Sequence, residues 1–148
     1  KIFQEINDLK LNVVLHSSSP KKLKNADIYL VDTYGETKKF YDCSDVVFMG
    51  KSLTGKGGQN PLEPARSGAA VLHGPNIDNF SDIYRLLEKL KITYKVNGET
   101  SLRNLVNKLI IKPNSKKNYL KIEKIGKKIL DETKDEINSL LNNEIKKT

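Results

Sequence analysis

The densest concentration of residues able to do chemistry in this chain is the run Gly50-Lys51-Ser52-Leu53-Thr54-Gly55-Lys56-Gly57-Gly58-Gln59-Asn60-Pro61-Leu62-Glu63-Pro64. Four of its first nine residues are glycine. Such a segment packs poorly but can bring bare backbone close to a ligand. A helix should follow it. Asn60 suits the N-cap, Pro61 the first helical position, and Glu63 the third, where a capping box puts its carboxylate. Pro64 lacks the N–H that would close the first turn, so the entry to this helix should be stiff and shaped. Glu63 therefore has two jobs open to it. It can satisfy the Asn60 amide, or it can accept two ribose hydroxyls while the loop amides face a phosphate. The run is not a Walker loop, because Gly57 stands where Ser or Thr should follow Lys56.

Two other junctions carry polar groups. Asp32-Thr33-Tyr34-Gly35-Glu36 follows the apolar run ADIYLV, and Asp32 or Thr33 can cap the helix that begins there. Gly35 lets a ligand approach the first turn, whose unpaired N–H groups favour an anion. His73-Gly74-Pro75-Asn76 and Asp78-Asn79-Phe80 follow the run AVLH. His73 and His16 both end apolar runs, with no carboxylate or nucleophile close by in sequence, so a structural role is expected for each. No Ser/His/Asp series, HExxH motif or Cys/His cluster occurs, and no metal site is expected.

The elements that must position these junctions alternate. Short apolar runs at Asn12–His16, Ala26–Val31, Asp45–Met49, Ala70–His73 and Ile92–Val96 read as strands covered on both faces. Helical stretches separate them: Glu36–Ser44, Leu62–Ser67, and one capped by Asn79 or Ser81 with apolar positions Phe80, Ile83, Tyr84, Leu87 and Leu90. Leu102, Leu105, Val106, Leu109 and Ile110 mark another, and the chain opens on a helix before its first strand. This alternation implies an α/β fold with a parallel sheet and helices on both faces. Ligands of such sheets bind beyond the carboxyl ends of the strands, which is where all three junctions fall. Residues 1–112 are expected to form this Rossmann-like domain. Residues 113–148 are strand-free and are expected to form amphipathic helices packed on it, through Ile122, Ile125, Ile129, Ile137, Leu140, Leu141 and Ile145.

Composition sets outer limits. The 148 residues are 37% apolar and 30% charged, a globular balance, and no run approaches the ~20 apolar residues of a membrane span. A net charge of +8 attracts anions: nucleotide, acidic lipid or nucleic acid. No nucleic-acid motif accompanies it, and none of that class is expected as a partner. The lone Cys43 allows no internal disulfide, fits a reducing compartment, and is expected as a small buried side chain.

The run Val31-Asp32-Thr33-Tyr34-Gly35-Glu36, then Phe40-Tyr41, Asp45-Val46 and Gly50-Lys51-Ser52-Leu53, resembles the Kdo (3-deoxy-D-manno-octulosonic acid) transferases. Gly57-Gly58-Gln59-Asn60-Pro61-Leu62-Glu63-Pro64-Ala65 is similar to that family's most distinctive stretch, and Gly68, AAVLHGP and Asn79-Phe80 follow at its spacing. The resemblance is dense over residues 28–90. It implies the C-terminal half of a glycosyltransferase-B architecture, the half that binds CMP-Kdo for transfer to lipid A precursor in lipopolysaccharide biosynthesis. By the same resemblance, Gly35 and Glu36 meet the CMP moiety, Asn60 holds the donor, Glu63 accepts the ribose hydroxyls, and Ser52, Gly57 and Gly58 line the cleft floor. No metal and no catalytic residue is implied within these 148 residues. The general base belongs to the family's N-terminal half, so the fragment is expected to be soluble and inactive alone. The intact enzyme is expected at the cytoplasmic face of the bacterial inner membrane, whose anionic surface is a candidate partner.

The sequence departs from the family in three places. Lys51 stands where glycine is frequent, the Arg-His-Pro turn that opens the donor domain is missing, and the tail ILDETKDEINSLLNN lacks the usual Gly-Ala step. Two other functions stay open: the donor domain of a UDP- or GDP-sugar transferase, and a non-catalytic basic module binding anionic lipid or nucleic acid.

Overall fold

The computed structural model describes residues 1–20, 23, 25–111 and 117–145. The chain falls into two compact units, Lys1–Thr37 and Lys38–Thr148. The expected division at 112/113 lies outside the described residues.

The first unit holds helix α1 (Ile2–Asp8) and two strands, β1 (Val13–Leu15) and β2 (Ile28–Leu30). The strands pair in parallel with Val13 opposite Ile28 and Leu15 opposite Leu30. Both are half-buried along their length, so the coverage on both faces that their apolar character suggests is incomplete here. Helix α2 (Thr37–Asp42) begins where this unit ends.

The second unit is built on a three-stranded parallel sheet in the order β3-β4-β5. Its strands are β3 (Val46–Phe48), β4 (Ala70–His73) and β5 (Thr93–Lys95). The helices are α3 (Leu62–Arg66), α4 (Ser81–Lys89), α5 (Glu99–Ile111) and α6 (Lys117–Ile145). All five strands fall within the sequence runs expected of them, and they form two parallel sheets, one in each unit.

Strand β4 is central and buried at every residue, and its alternation divides the core. Val71 enters a cluster with Met49, Ala65, Tyr84, Leu87 and Ile92, on the face covered by α3 and α4. Ala70 and Leu72 enter a second cluster with Leu109, where Leu102, Leu105 and Val106 of α5 close the opposite face. Helices thus cover both faces because one strand carries apolar side chains in both directions. Each fully buried large side chain here contributes about 1.5–3 kcal/mol.

Helix α6 joins this unit through its first turns, where Ile122 packs against the α3–α4 cluster. Farther along, Ile129, Leu130, Ile137, Leu140 and Leu141 are all more than half exposed. Ile145 lies among the residues whose side chains are outside the described set. Cys43, expected to be buried, is exposed, because α2 ends at Asp42 and the thiol falls in the following turn. The expected cap on α4 also differs. Among the described residues, neither Asn79 nor Ser81 caps it with a side chain.

The segments leaving β3 and β4 come together at Gly74. A Cβ on Gly74 would stand 2.2 Å from the Ser52 carbonyl oxygen and 2.7 Å from Leu53 Cα. Both obstacles are backbone, so neither can rotate away. Gly74→Ala should lower unfolding stability by about 1–3 kcal/mol or more, read as a shifted midpoint in urea denaturation at an unchanged slope.

Candidate functional site

The loop between β3 and α3 leaves the carboxyl end of its strand and is held at four points. Ser52 has no accessible surface. Its hydroxyl donates to the Met49 carbonyl at 2.5 Å and accepts the Gly74 N–H at 2.8 Å. The Ser52 carbonyl accepts the Asn76 N–H at 2.9 Å. The Gly57 carbonyl accepts the Asn79 N–H at 3.3 Å, and the Tyr84 hydroxyl donates to the Gln59 carbonyl at 3.0 Å. Ser52 thus ties the loop to the segment leaving β4, with its hydroxyl committed on both sides.

The glycines of the loop face inward. Gly57 has φ +94°, and a Cβ there would meet Asn79 Nδ2 at 2.6 Å. Gly58 has φ +60°, and a Cβ there would meet the Asn76 carbonyl oxygen at 2.9 Å. Glycine is needed at both positions for left-handed backbone and for close packing on segment 76–79. Lys51 also sits at positive φ, +63°, a conformation that a glycine would adopt without Cβ strain. The other end of the turn is closed by Gly55 N–H donating to the Lys51 carbonyl at 2.7 Å.

At the entry to α3, Asn60 caps with its side chain: Oδ1 accepts the Leu62 N–H at 3.0 Å. The regular helix is counted from Leu62, since the Asn60 carbonyl would need an N–H from Pro64, which has none. The first such bond runs instead from Ala65 N–H to the Pro61 carbonyl. The reciprocal half of the capping box is not made. Glu63 is exposed, and its carboxylate forms no hydrogen bond or ion pair among the described residues. It opens onto a pocket of about 460 Å³ that is also lined by Lys38, Asp42, Arg66, Ser67 and Glu123. Ser67 occupies one oxygen of Asp42 at 2.7 Å. Tyr41 is near enough that the Glu63 charge adds to burial in raising its phenol above the usual value.

Behind the loop, the rings of Tyr84 and His73 pack at a tilt of 50° with centroids 4.4 Å apart. Burial pushes the Tyr84 phenol up to about 12 and holds the His73 imidazole below its ordinary value. His73 Nδ1 lies 2.7 Å from the Gly74 carbonyl, which assigns the hydrogen of the neutral ring to Nδ1. The structural role expected of His73 matches this setting.

Gly35 and Glu36 are in the first unit. Gly35 has φ +86° with open space where a Cβ would lie, so its requirement is the left-handed turn alone. Glu36 Oε2 is bound by His16 Nε2 at 2.7 Å and by the Thr33 hydroxyl at 3.0 Å. Asp32 takes both the N–H and the hydroxyl of Ser17, which holds its carboxyl below the usual range. His16 had only a structural expectation. Gly74, Asn79 and Tyr84, which fasten the glycine loop, were not foreseen, because their partners lie 22 to 25 residues away. No group of three His, Cys, Asp or Glu fit to hold a metal occurs among the described residues. No described helix is long and apolar enough to cross a membrane.

Comparison with known proteins gives one consistent answer. The chain is 31% identical over 133 residues to the 3-deoxy-D-manno-octulosonic acid transferase of Haemophilus influenzae, covering 89% of this chain and 30% of that protein. It is 31% identical over 103 residues to the Aquifex aeolicus protein of the same name, covering 70% of this chain and 28% of that one. The Bordetella pertussis protein of that name is 41% identical over 59 residues, 40% of this chain and 14% of its own length. The chain therefore spans about 30% or less of these relatives. Among solved structures, the C-terminal CMP-Kdo binding domain of WaaA from Acinetobacter baumannii matches with a TM-score of 0.65 at 26% identity, over 74% of this chain and 56% of that one. No family model matches.

Two expectations follow from the loop's supports. Ser52→Ala leaves the buried Gly74 N–H without its acceptor and should cost about 1–3 kcal/mol in chemical denaturation. His73 gives stability an acid limit. Its folded value is depressed, so the unfolded chain takes up the proton first as pH falls through the ordinary 6.5. Stability is full above that value and declines below it. In denaturation midpoints followed from neutral pH to about pH 5, His73→Gln should show a shallower decline than the wild type.

Proposed function

We propose that this chain, related in sequence to the Kdo transferases and in fold to the C-terminal CMP-Kdo binding domain of one, is the half of such an enzyme that binds the activated sugar. The observation that carries the reading is the unengaged Glu63 carboxylate in the first turn of the helix that follows the glycine loop. A carboxylate acceptor suits paired hydroxyl donors such as those of a ribose, and hydrogen bonds to a charged group are the strong ones. Lys38 and Arg66 line the same pocket beside Asp42 and Glu123, so it holds cations that can meet the phosphate of a nucleoside monophosphate sugar among acceptors for its hydroxyls.

The residue roles divide accordingly. Glu63 accepts the nucleoside hydroxyls, and Asn60 fixes the start of the helix that presents it. Ser52, Gly57 and Gly58 set the loop's path, and Gly35 and Glu36 contribute from the turn after β2. Donor binding of this kind lowers the entropic part of a transfer barrier, because the reacting carbon is held in one orientation before the acceptor arrives. Proton removal from the acceptor hydroxyl needs a general base within hydrogen-bond reach. In this reading that base, and the lipid A precursor, belong to the N-terminal half of the enzyme, at the cytoplasmic face of the inner membrane. The 148 residues alone bind CMP-Kdo or CMP and do not turn it over.

Calorimetric titration of CMP into the chain tests this. Wild type should bind, and Glu63→Ala should bind about tenfold or more weakly, the value of roughly 1.5–3 kcal/mol for a hydrogen bond to a charged group. UMP and GDP should compete less well than CMP. Equal binding by both proteins, or none by a folded wild type, would sink the proposal.

A further inference from the structure

At the carboxyl ends of β1 and β2, a chain of side chains leads to one carboxylate oxygen. The Tyr29 hydroxyl lies 2.6 Å from His16 Nδ1, and His16 Nε2 lies 2.7 Å from Glu36 Oε2. The Thr33 hydroxyl donates to the same Oε2 at 3.0 Å. The rings of His16 and Tyr29 meet edge to face, with centroids 5.5 Å apart and planes at 88°.

Chemistry fixes the direction of the chain. An ionised carboxylate can only accept, so Nε2 must carry a hydrogen in either charge state of the ring. In the neutral ring Nδ1 is then the acceptor, and the Tyr29 hydroxyl donates to it. Tyr29 on β2 therefore selects the tautomer that His16, in the turn just after β1, needs in order to hold Glu36. The other nearby carboxylate, Asp32, is taken by the Ser17 N–H and hydroxyl at 2.9 and 2.6 Å. His16 is about a quarter exposed and Glu36 slightly more, so the pair is neither open surface nor sealed core.

We propose that His16 is a positioning residue for donor recognition. Its Nε2–H, set by Tyr29, holds Glu36 Oε2 in one rotamer so that the turn after β2 meets the nucleoside of the donor without first having to order that side chain. This rests on the donor-binding reading above, with Glu36 as a contact of the nucleotide. A purely structural histidine would tie β1 to the turn with no consequence for ligand. A positioning one acts through the Nε2–H alone, and conservative variants separate the two. The amide of glutamine can place an N–H where Nε2 stands, while asparagine reaches only the position of Nδ1.

The test titrates CMP into the 148-residue chain carrying His16→Gln, His16→Asn, Glu36→Gln, and the last two together, with thermal melts alongside. His16→Gln should retain CMP affinity within about twofold, and His16→Asn should weaken it about tenfold, as expected for a lost bond to a charged group. On the Glu36→Gln background, His16→Asn should add little. Equal losses in the glutamine and asparagine variants, or a full added loss on the Glu36→Gln background, would overturn the positioning role while Glu63→Ala still reported donor binding. A wild type that binds no CMP would overturn both. Should His16→Asn fail to fold, His16→Gln decides alone, and a tenfold loss there overturns the proposal.

Discussion

The contact between the Ser52 peptide and Gly74 is the constraint on which the second unit's site depends. Two segments leave neighbouring parallel strands and come together so closely that one of them can carry no side chain. The Ser52 hydroxyl then satisfies polar groups of both, one carbonyl from β3's end and one N–H from β4's end. In a water-excluded setting an unmet N–H is expensive, so this one hydroxyl fixes the register of the two segments. The remainder of the loop inherits its course. Gly57 and Gly58 settle on segment 76–79, and Tyr84 reaches up from α4 to Gln59.

The site combines rigid backbone with side chains that differ in how far they are committed. Ser52, Asn60 and Tyr84 are spent on the protein itself. Glu63 is not, and it shares a pocket with charges of both signs. The turn in the first unit is organised otherwise: every carboxylate there is already held by a neighbour, Asp32 by Ser17 and Glu36 by His16 and Thr33. One element offers an open acceptor and the other a pre-oriented one. A side chain already held by its neighbours costs less to order on binding than one left free.

Much of this was legible in the residues. The five strands announce themselves because short parallel strands are apolar runs bounded by turn formers, and the periodicity of α4 and α5 is helical. The turn residues also spoke clearly, since Pro61 and Pro64 leave few ways to start a helix. What stayed hidden was long-range. Nothing local says that Gly74 lies under Ser52, or that Tyr84 bonds to Gln59. The capping-box spacing at Asn60 and Glu63 suggested a reciprocal pair, but Asn60 takes the Leu62 N–H instead and Glu63 does not reach back. Cys43 was misjudged because its apolar neighbours continue beyond the point where α2 stops.

The inward-facing glycines have a consequence for how a site of this kind can change. Gly57 and Gly58 are fixed by segment 76–79 and not by anything they would touch on the outside. A side chain at Gly58 would meet the backbone of that segment, while one at Gly57 would displace the Asn79 side chain and strain a left-handed backbone. Side chains vary more freely at the flanks, where Lys56 and Gln59 are exposed and where α3 and α6 supply Arg66 and Glu123 to the pocket wall. A domain built this way keeps its frame constant and varies at its margins.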